Sequence, residues 1–181
     1  MIKIAGSVRR SFSFPAELAV AYAYYSDVSR LLNYLPHISL VRAYSHNEYR
    51  MLYRTTELGA YLIRIFWDVR VILDERGRLI CINPLDGRSP VKAEAGLSSS
   101  TGQGSFFSES VFHDMGNRTE IEYRLRLQAK LPTPLGLRLM PSLVTNRIAR
   151  NITQARMREI AEGFIELSVE AFPYWLAEMG A

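Results

Sequence analysis

The chain is predicted to fold as an α+β protein in which a curved antiparallel sheet of about seven strands receives a long C-terminal helix across its concave face. Three observations predict this class. The segment from Pro141 to Met179 has helical periodicity, and no earlier helical segment approaches its length. Much of residues 38–131 alternates between apolar and polar side chains, as half-buried strands do. The connections between these strands are mostly short, which favours antiparallel neighbours.

Composition limits the class of protein further. A length of 181 residues with 48% hydrophobic content can bury one core, and we expect a single domain over residues 1–181. The chain has no run of about eighteen apolar residues. A single cysteine, Cys81, excludes an internal disulfide and a multi-cysteine metal site, so we expect a cytoplasmic protein with no metal and no cofactor. The net charge of +4 is spread along the strands without a nucleic-acid-binding motif, so nucleic acid is not an expected partner.

The first elements are a strand and two short helices. Ile2–Phe14 alternates in one phase and predicts a long first strand, in which Arg10 breaks the phase and indicates a bulge. Proline is favoured at the start of a helix, so Pro15 predicts a helix there, and the residues after it give this helix an apolar side. A second short helix is predicted to begin with Asp27 or Ser29 as its cap and to end before the next proline.

A meander of six strands is predicted to follow. Alternation places the strands near Ile38–Tyr44, Glu48–Glu57, Tyr61–Leu73, Arg78–Asn83, Ser105–Asp114 and Thr119–Leu131. The intervening segment Asn83–Gly104 is rich in glycine, proline and serine and predicts a long loop, with a short strand near Val91–Ala95. Structureless loops longer than about 12–15 residues are usually functional or mobile, so this loop is a candidate lid.

The C-terminal helix carries one apolar stripe. Its apolar side chains recur at steps of three and four residues, which places them on the side that faces the sheet. They are Met157, Ile160, Ala161, Phe164, Leu167, Ala171 and Trp175.

This order of elements resembles the helix-grip fold of the START-like (SRPBCC) superfamily, which includes lipid-transfer domains, polyketide cyclases, and pollen-allergen and coenzyme-Q-binding proteins. Two connections are similar to those of these proteins: the one from strand to helix at Phe12–Pro15, and the one from helix through Pro36 into the next strand. The stretches Leu131–Leu135 and Phe172–Trp175 resemble, more narrowly, a branch of unknown function found in cyanobacteria and plastids. The resemblance implies that the sheet and the long helix hold a hydrophobic ligand between them.

The inward-facing side chains are the candidate ligand-binding residues. Apolar and aromatic walls with a few hydroxyl groups suit a lipid, quinone, isoprenoid or pigment-like ligand. The set is Met51, Tyr53, Tyr61, Ile63, Ile65, Trp67, Ile121, Tyr123, Leu125, Met157, Ile160 and Phe164. Polar groups inside the cavity would be Glu57 and either Glu109 with His113 or Ser108 with Ser110, because the phase of that strand is ambiguous.

Binding or carriage of a hydrophobic small molecule is therefore the predicted function, without turnover. No nucleophile beside a base, carboxylate pair or metal-ligand spacing stands out, so no catalytic residue is predicted. Cys81 lies between two isoleucines, where a thiol is usually a small buried hydrophobe. Two alternatives remain: a cyclase or aromatase acting on such a ligand, and a membrane- or protein-docking module with a filled core.

Charge is unevenly distributed along the last helix. Five arginines and no acid lie between Arg138 and Arg158, whereas five glutamates and no base lie between Glu159 and Glu178. Arginines among apolar residues suit an anionic membrane surface, and peripheral membrane contact would involve Arg138, Arg147 and Arg150. The alternative is a solvated helix face whose arginines pair with carboxylates on the strands.

Overall fold

The computed structural model describes residues 1–86 and 88–180. Within them lie eight strands and three α-helices, with two short 3₁₀ turns at Leu32–Tyr34 and Leu135–Leu137. The strands are β1 (Ile2–Phe14), β2 (Ile38–Ala43), β3 (Glu48–Glu57), β4 (Tyr61–Asp74), β5 (Leu79–Pro84), β6 (Glu94–Ala95), β7 (Ser99–Asp114) and β8 (Thr119–Leu131). The helices are α1 (Leu18–Ser26), α2 (Val28–Leu31) and α3 (Ser142–Met179).

The strands form one open sheet in the order β1-β8-β7-β5-β4-β3-β2, and the two-residue β6 pairs with β7. Neighbours along this order are antiparallel, and β4 additionally pairs in parallel with the first residues of β7. The predicted α+β class, with a sheet of about seven strands and a long helix across it, is confirmed.

The predicted bulge at Arg10 is wrong. Strand β1 pairs with β8 in an unbroken register from Ile2 opposite Leu131 to Phe14 opposite Thr119. Arg10 breaks the hydrophobic phase for another reason, because its guanidinium reaches α3 and pairs with Glu162 at 2.6 Å.

The loop predicted over residues 83–104 is shorter than expected, because β7 begins at Ser99. Residues 99–103 run parallel to residues 62–66 of β4 and are held by backbone pairing. Residues 88 and 89 lie on the outer face of the sheet, where Arg50 pairs with the buried Asp68 at 2.7 Å and also donates to the Ser89 carbonyl. Arg88 pairs with the buried Glu48 on the same face. This part of the loop lies on the face opposite α3, so it does not cover the space between sheet and helix.

Helices α1 and α2 close one end of the sheet. Helix α1 starts at Leu18, three residues later than Pro15, and Asp27 caps α2 by accepting from the Arg30 N–H. The hydroxyl of Tyr24 donates to the Ser168 carbonyl at 2.6 Å, and the Tyr25 hydroxyl lies 2.9 Å from Ser168 Oγ. These bonds tie α1 to the second half of α3.

Helix α3 buries one stripe against the sheet and α1. Its buried apolar residues are Met157, Ile160, Ala161, Phe164, Phe172 and Trp175. Leu167, predicted on this stripe, is 43% exposed, and the polar Ser168 takes the inward position because it bonds to α1. Gly6 of β1 lets the helix approach the strand closely, since a Cβ there would lie 2.7 Å from Met157 Cγ.

The two halves of α3 meet different surroundings. The second half packs into an aromatic cluster in which Phe14, Tyr24, Phe172 and Trp175 have ring centroids 4.7–6.0 Å apart. The first half lies over β1 and the ends of β3, β4 and β8 and encloses unfilled space. No helix of the described residues is long and apolar enough to cross a membrane.

Candidate functional site

An apolar cavity of about 100 Å³ lies between the sheet and the first half of α3. Its walls come from both edges of the sheet and from the segment that joins β8 to α3. The aliphatic side chains around it are Ile2, Ile4, Leu58, Ile63, Ile65, Leu127, Leu131, Leu137, Ile148 and Ile152. Such a lining favours a hydrophobic occupant, because a water molecule in this cavity would find few hydrogen-bond partners.

Six of the twelve predicted ligand-binding residues line this cavity. They are Tyr53, Tyr61, Ile63, Ile65, Met157 and Ile160. Four others, Met51, Trp67, Ile121 and Leu125, are fully buried among neighbouring side chains and lie outside the cavity lining. Trp67, for example, packs on Tyr53 and Phe106 with ring centroids 6.0 and 5.1 Å away.

The last two predicted residues, Tyr123 and Phe164, also lie outside the cavity lining. Their rings stack with centroids 5.0 Å apart. On one side the stack borders a second void of about 30 Å³, which Ser108 and Ser110 also line. This resolves the phase of β7: Ser108 and Ser110 are buried, whereas Glu109 lies on the outer face.

One ion-pair network forms the polar part of the cavity wall. Arg156 of α3 holds Glu57, at the end of β3, through two bonds of 2.9 Å (Nε to Oε1) and 3.3 Å (Nη2 to Oε2). Its Nη1 donates to Glu159 at 2.6 Å, and Glu159 also contacts His37 Nε2 at 2.8 Å. The Glu57 side chain is 12% exposed and that of Arg156 is 28% exposed. Because the two charges offset each other, the wall stays electrically close to neutral.

These contacts shift the acidities of the groups involved. Hydrogen bonds to Glu57 and then Glu159 raise the pKa of Arg156. Burial alone would raise the pKa of Glu159, but the hydrogen bonds from His37 and Arg156 outweigh it and lower that pKa. Burial raises the pKa of Tyr53, whose ring lines the cavity. The tyrosine therefore stays protonated and can act as a hydrogen-bond donor at neutral pH.

Exposed apolar side chains lie in the cavity wall and close to it along the chain. Leu58 lines the cavity and is mostly exposed. Leu139, just before α3, is 99% exposed, and Leu143, in the first turn of α3, is 84% exposed. The Leu97 carbonyl accepts from the Gly136 N–H at 3.0 Å, which brings the end of the 85–98 segment to the same place. Gly96 and Leu97 of the predicted lid are thus held beside the segment that joins β8 to α3.

Sequence periodicity did not identify the segment between β8 and α3 as part of the site. Pro134, Leu137 and Met140 line the cavity, but they lie in an irregular stretch where no repeat indicates which side chain points inward. A signal existed in composition, since this stretch keeps apolar residues between two prolines where a surface loop is usually polar.

The described residues provide little for catalysis or metal binding at this place. Among residues 1–86 and 88–180, no group of three or more His, Cys, Asp and Glu side chains could hold a metal ion. The one carboxylate in the described lining is Glu57, which Arg156 already engages. Cys81 is half-buried on β5, away from the cavity, and burial raises the pKa of its thiol.

Comparison with known proteins identifies the fold. A protein from Thermus thermophilus is 17% identical, with 93% of this chain and 97% of that one covered and a TM-score of 0.58. The Zhui aromatase/cyclase from Streptomyces sp. R1128 is 14% identical, with 93% and 94% covered and a TM-score of 0.60. Human STARD10 is 9% identical, with 95% of this chain and 66% of that one covered and a TM-score of 0.53.

These likenesses confirm the predicted helix-grip fold. No protein-family model and no curated protein sequence matches the chain. The narrower resemblance to a cyanobacterial and plastid branch stays a prediction.

Proposed function

We propose that this protein binds and carries a hydrophobic small molecule in the cavity between its sheet and α3. The observation that carries the proposal is the cavity itself: about 100 Å³ of space lined almost entirely by aliphatic and aromatic side chains. Well-packed interiors leave few voids of this size, and an unfilled space costs stability. A filled-core docking module would not maintain it.

The shared fold supports the same proposal. Helix-grip proteins at this level of likeness include an aromatase/cyclase and human STARD10. The cyclase alternative requires a group that moves protons in the cavity, and the lining carboxylate, Glu57, is already paired with Arg156. Carriage without turnover needs only contact area and an opening, and both are present. The twelve predicted residues divide accordingly into six that would contact the ligand and six that would support the walls.

Mass spectrometry under native and then denaturing conditions tests the binding proposal. We expect the protein purified without detergent to carry a hydrophobic species, or to take one up from a panel of lipids, quinones and isoprenoids. Ala149→Phe fills the cavity from α3, and we expect it to abolish retention. The matched control is Ala155→Phe, the same substitution at an exposed position of the same helix.

Folding of both variants is checked by circular dichroism, and Ile152→Phe provides a second substitution in the cavity wall. Retention that is equal in wild type and in a folded Ala149→Phe or Ile152→Phe protein would contradict the proposal. An empty wild-type protein that takes up no member of the panel would also contradict it.

Peripheral membrane contact is a second proposal, favoured by exposed leucines just before α3 and in its first turn. Leu139 and Leu143 project from the same segment as Arg138 and Arg147, and residues 132–158 contain no acidic side chain. Apolar side chains that insert and arginines that attract anionic lipid are the two components of interfacial binding. A carrier that docks with its opening on the bilayer would exchange ligand without exposing it to water.

Vesicle flotation tests the membrane proposal. We expect more protein to float with vesicles that contain phosphatidylserine than with phosphatidylcholine alone, and less after Leu139→Ser with Leu143→Ser. The control is Leu176→Ser, an exposed leucine at the acidic end of α3. Equal flotation of the double variant and the control would contradict this surface.

A further inference from the structure

The cavity adjoins a second, more polar space. A surface groove of about 340 Å³ lies beside it, and three residues line both: Leu137, Met140 and Thr145. The hydroxyl of Thr145 donates to the Pro141 carbonyl at 3.3 Å, so this wall presents no unsatisfied polar group of its own. Cavity and groove therefore adjoin each other at these three residues.

The groove differs from the cavity in chemistry. Thr133, Ser142 and Asn146 line it with polar groups, and Arg138 is the charged residue in its lining. The Arg138 side chain is exposed and makes no ion pair with any of the residues that the structure describes. Acidic side chains are absent from the sequence between residues 132 and 158, so the local charge is positive. Arg138 would attract an anionic group in this groove, and no carboxylate of this segment would repel it.

The size of the cavity limits what can occupy it. Sites for drug-sized ligands occupy about 300–1,000 Å³, and an apolar cavity of about 150 Å³ is known to hold one benzene ring. At about 100 Å³, this cavity holds only a small apolar group, and a larger ligand would extend beyond it. The end of a hydrocarbon chain satisfies this limit, and the rest of the chain with its polar end would have to lie outside.

We infer that the ligand is a single-chain amphiphile whose chain end occupies the cavity and whose anionic head lies in the adjoining groove beside Arg138. This inference rests on the proposed binding function and names the chemical class of its ligand. It goes beyond a hydrophobic cavity, because it assigns a head-group subsite to residues that lie outside the apolar lining.

Calorimetric titration with three probes of one chain length tests the inference. The probes are dodecanoate, dodecanol and dodecyltrimethylammonium, each kept below its micelle concentration. We expect dodecanoate to bind most tightly and the cation most weakly. Arg138→Gln should weaken dodecanoate binding by up to about fivefold, the range for one exposed charge interaction, and leave dodecanol binding unchanged.

The control is Arg158→Gln, which removes an exposed arginine of the same helix that lies outside cavity and groove. If dodecanoate and dodecanol bind equally, or if the Arg138 and Arg158 variants behave alike, the head-group subsite is wrong while the cavity proposal stands. If none of the three probes binds to the wild-type protein but other hydrophobic compounds do, the single-chain class is wrong. If nothing hydrophobic binds, the proposed function itself fails.

Discussion

Removing Arg156 should destabilise the protein more than removing its partner Glu57. The carboxylate of Glu57 is mostly buried, and Arg156 is its one ion-pair partner among the described residues, whereas Arg156 also bonds to Glu159. Arg156→Gln therefore leaves a buried charge without a cation, and Glu57→Gln leaves an arginine that retains a partner. Breaking a buried pair typically costs about 3–5 kcal/mol, and loss of a hydrogen bond to a charged group costs about 1.5–3 kcal/mol.

Because this pair is partly exposed, we expect each loss of stability to lie near the lower end of its range. We expect the free energy of unfolding to fall by about 3 kcal/mol for Arg156→Gln and by about 1.5 kcal/mol for Glu57→Gln. In a chain of this size, about 1 kcal/mol corresponds to about 2–4 °C in Tm. The double variant should lose less than the sum of the two, because the residues are in direct contact.

Urea titration followed by circular dichroism measures these differences, provided that the transition is two-state. Arg158→Gln serves as the control, since it removes an exposed arginine two residues away. Equal losses for the two single variants, or strict additivity in the double variant, would refute the reasoning. Either result would mean that solvent screens the pair despite its position in the cavity wall.

Three further outcomes follow from other contacts. Phe164→Ala should enlarge the second void beside the Tyr123–Phe164 stack, at a cost of about 3–5 kcal/mol in stability; urea titration measures the loss. Gly104→Ala should destabilise by about 1–3 kcal/mol, because its Cβ would lie 2.5 Å from the Gln128 carbonyl oxygen; urea titration measures this. The lowered pKa of Glu159, which faces His37 and Arg156, stabilises the fold above the ordinary pKa of 4.5, and that stability is lost as the pH falls through the lowered value. Glu159→Gln should therefore show a flatter acid-unfolding curve.

Sequence periodicity predicted the sheet well where strands are half-buried. The strands β1 and β8 alternate over 13 residues each, and their predicted bounds agree with the structure. The early part of β7 was missed because residues 98–104 contain only serine, threonine, glycine and glutamine. That part of the strand is specified by backbone pairing with β4, which leaves no hydrophobic pattern in the sequence.

The site was predictable only in part, for a physical reason. Alternation shows which side chains point inward, and the buried Met51 and Trp67 do so as surely as the cavity-lining Tyr53 and Ile65. Some inward residues touch one another and others border a void, and the difference depends on how their side chains pack in three dimensions. The alternation of residues along the chain does not show this packing, so the predicted inner face includes more residues than the binding site does.

The division of α3 into two halves has a consequence for how the protein can change over evolutionary time. Residues 164–175 anchor the helix in the aromatic cluster, and residues 145–160 form one side of the cavity. Substitutions in the first half can reshape the binding space while the second half preserves the folded state. Ligand preference can therefore diverge among descendants of this chain through substitutions in one half of the helix, while the other half keeps the protein folded.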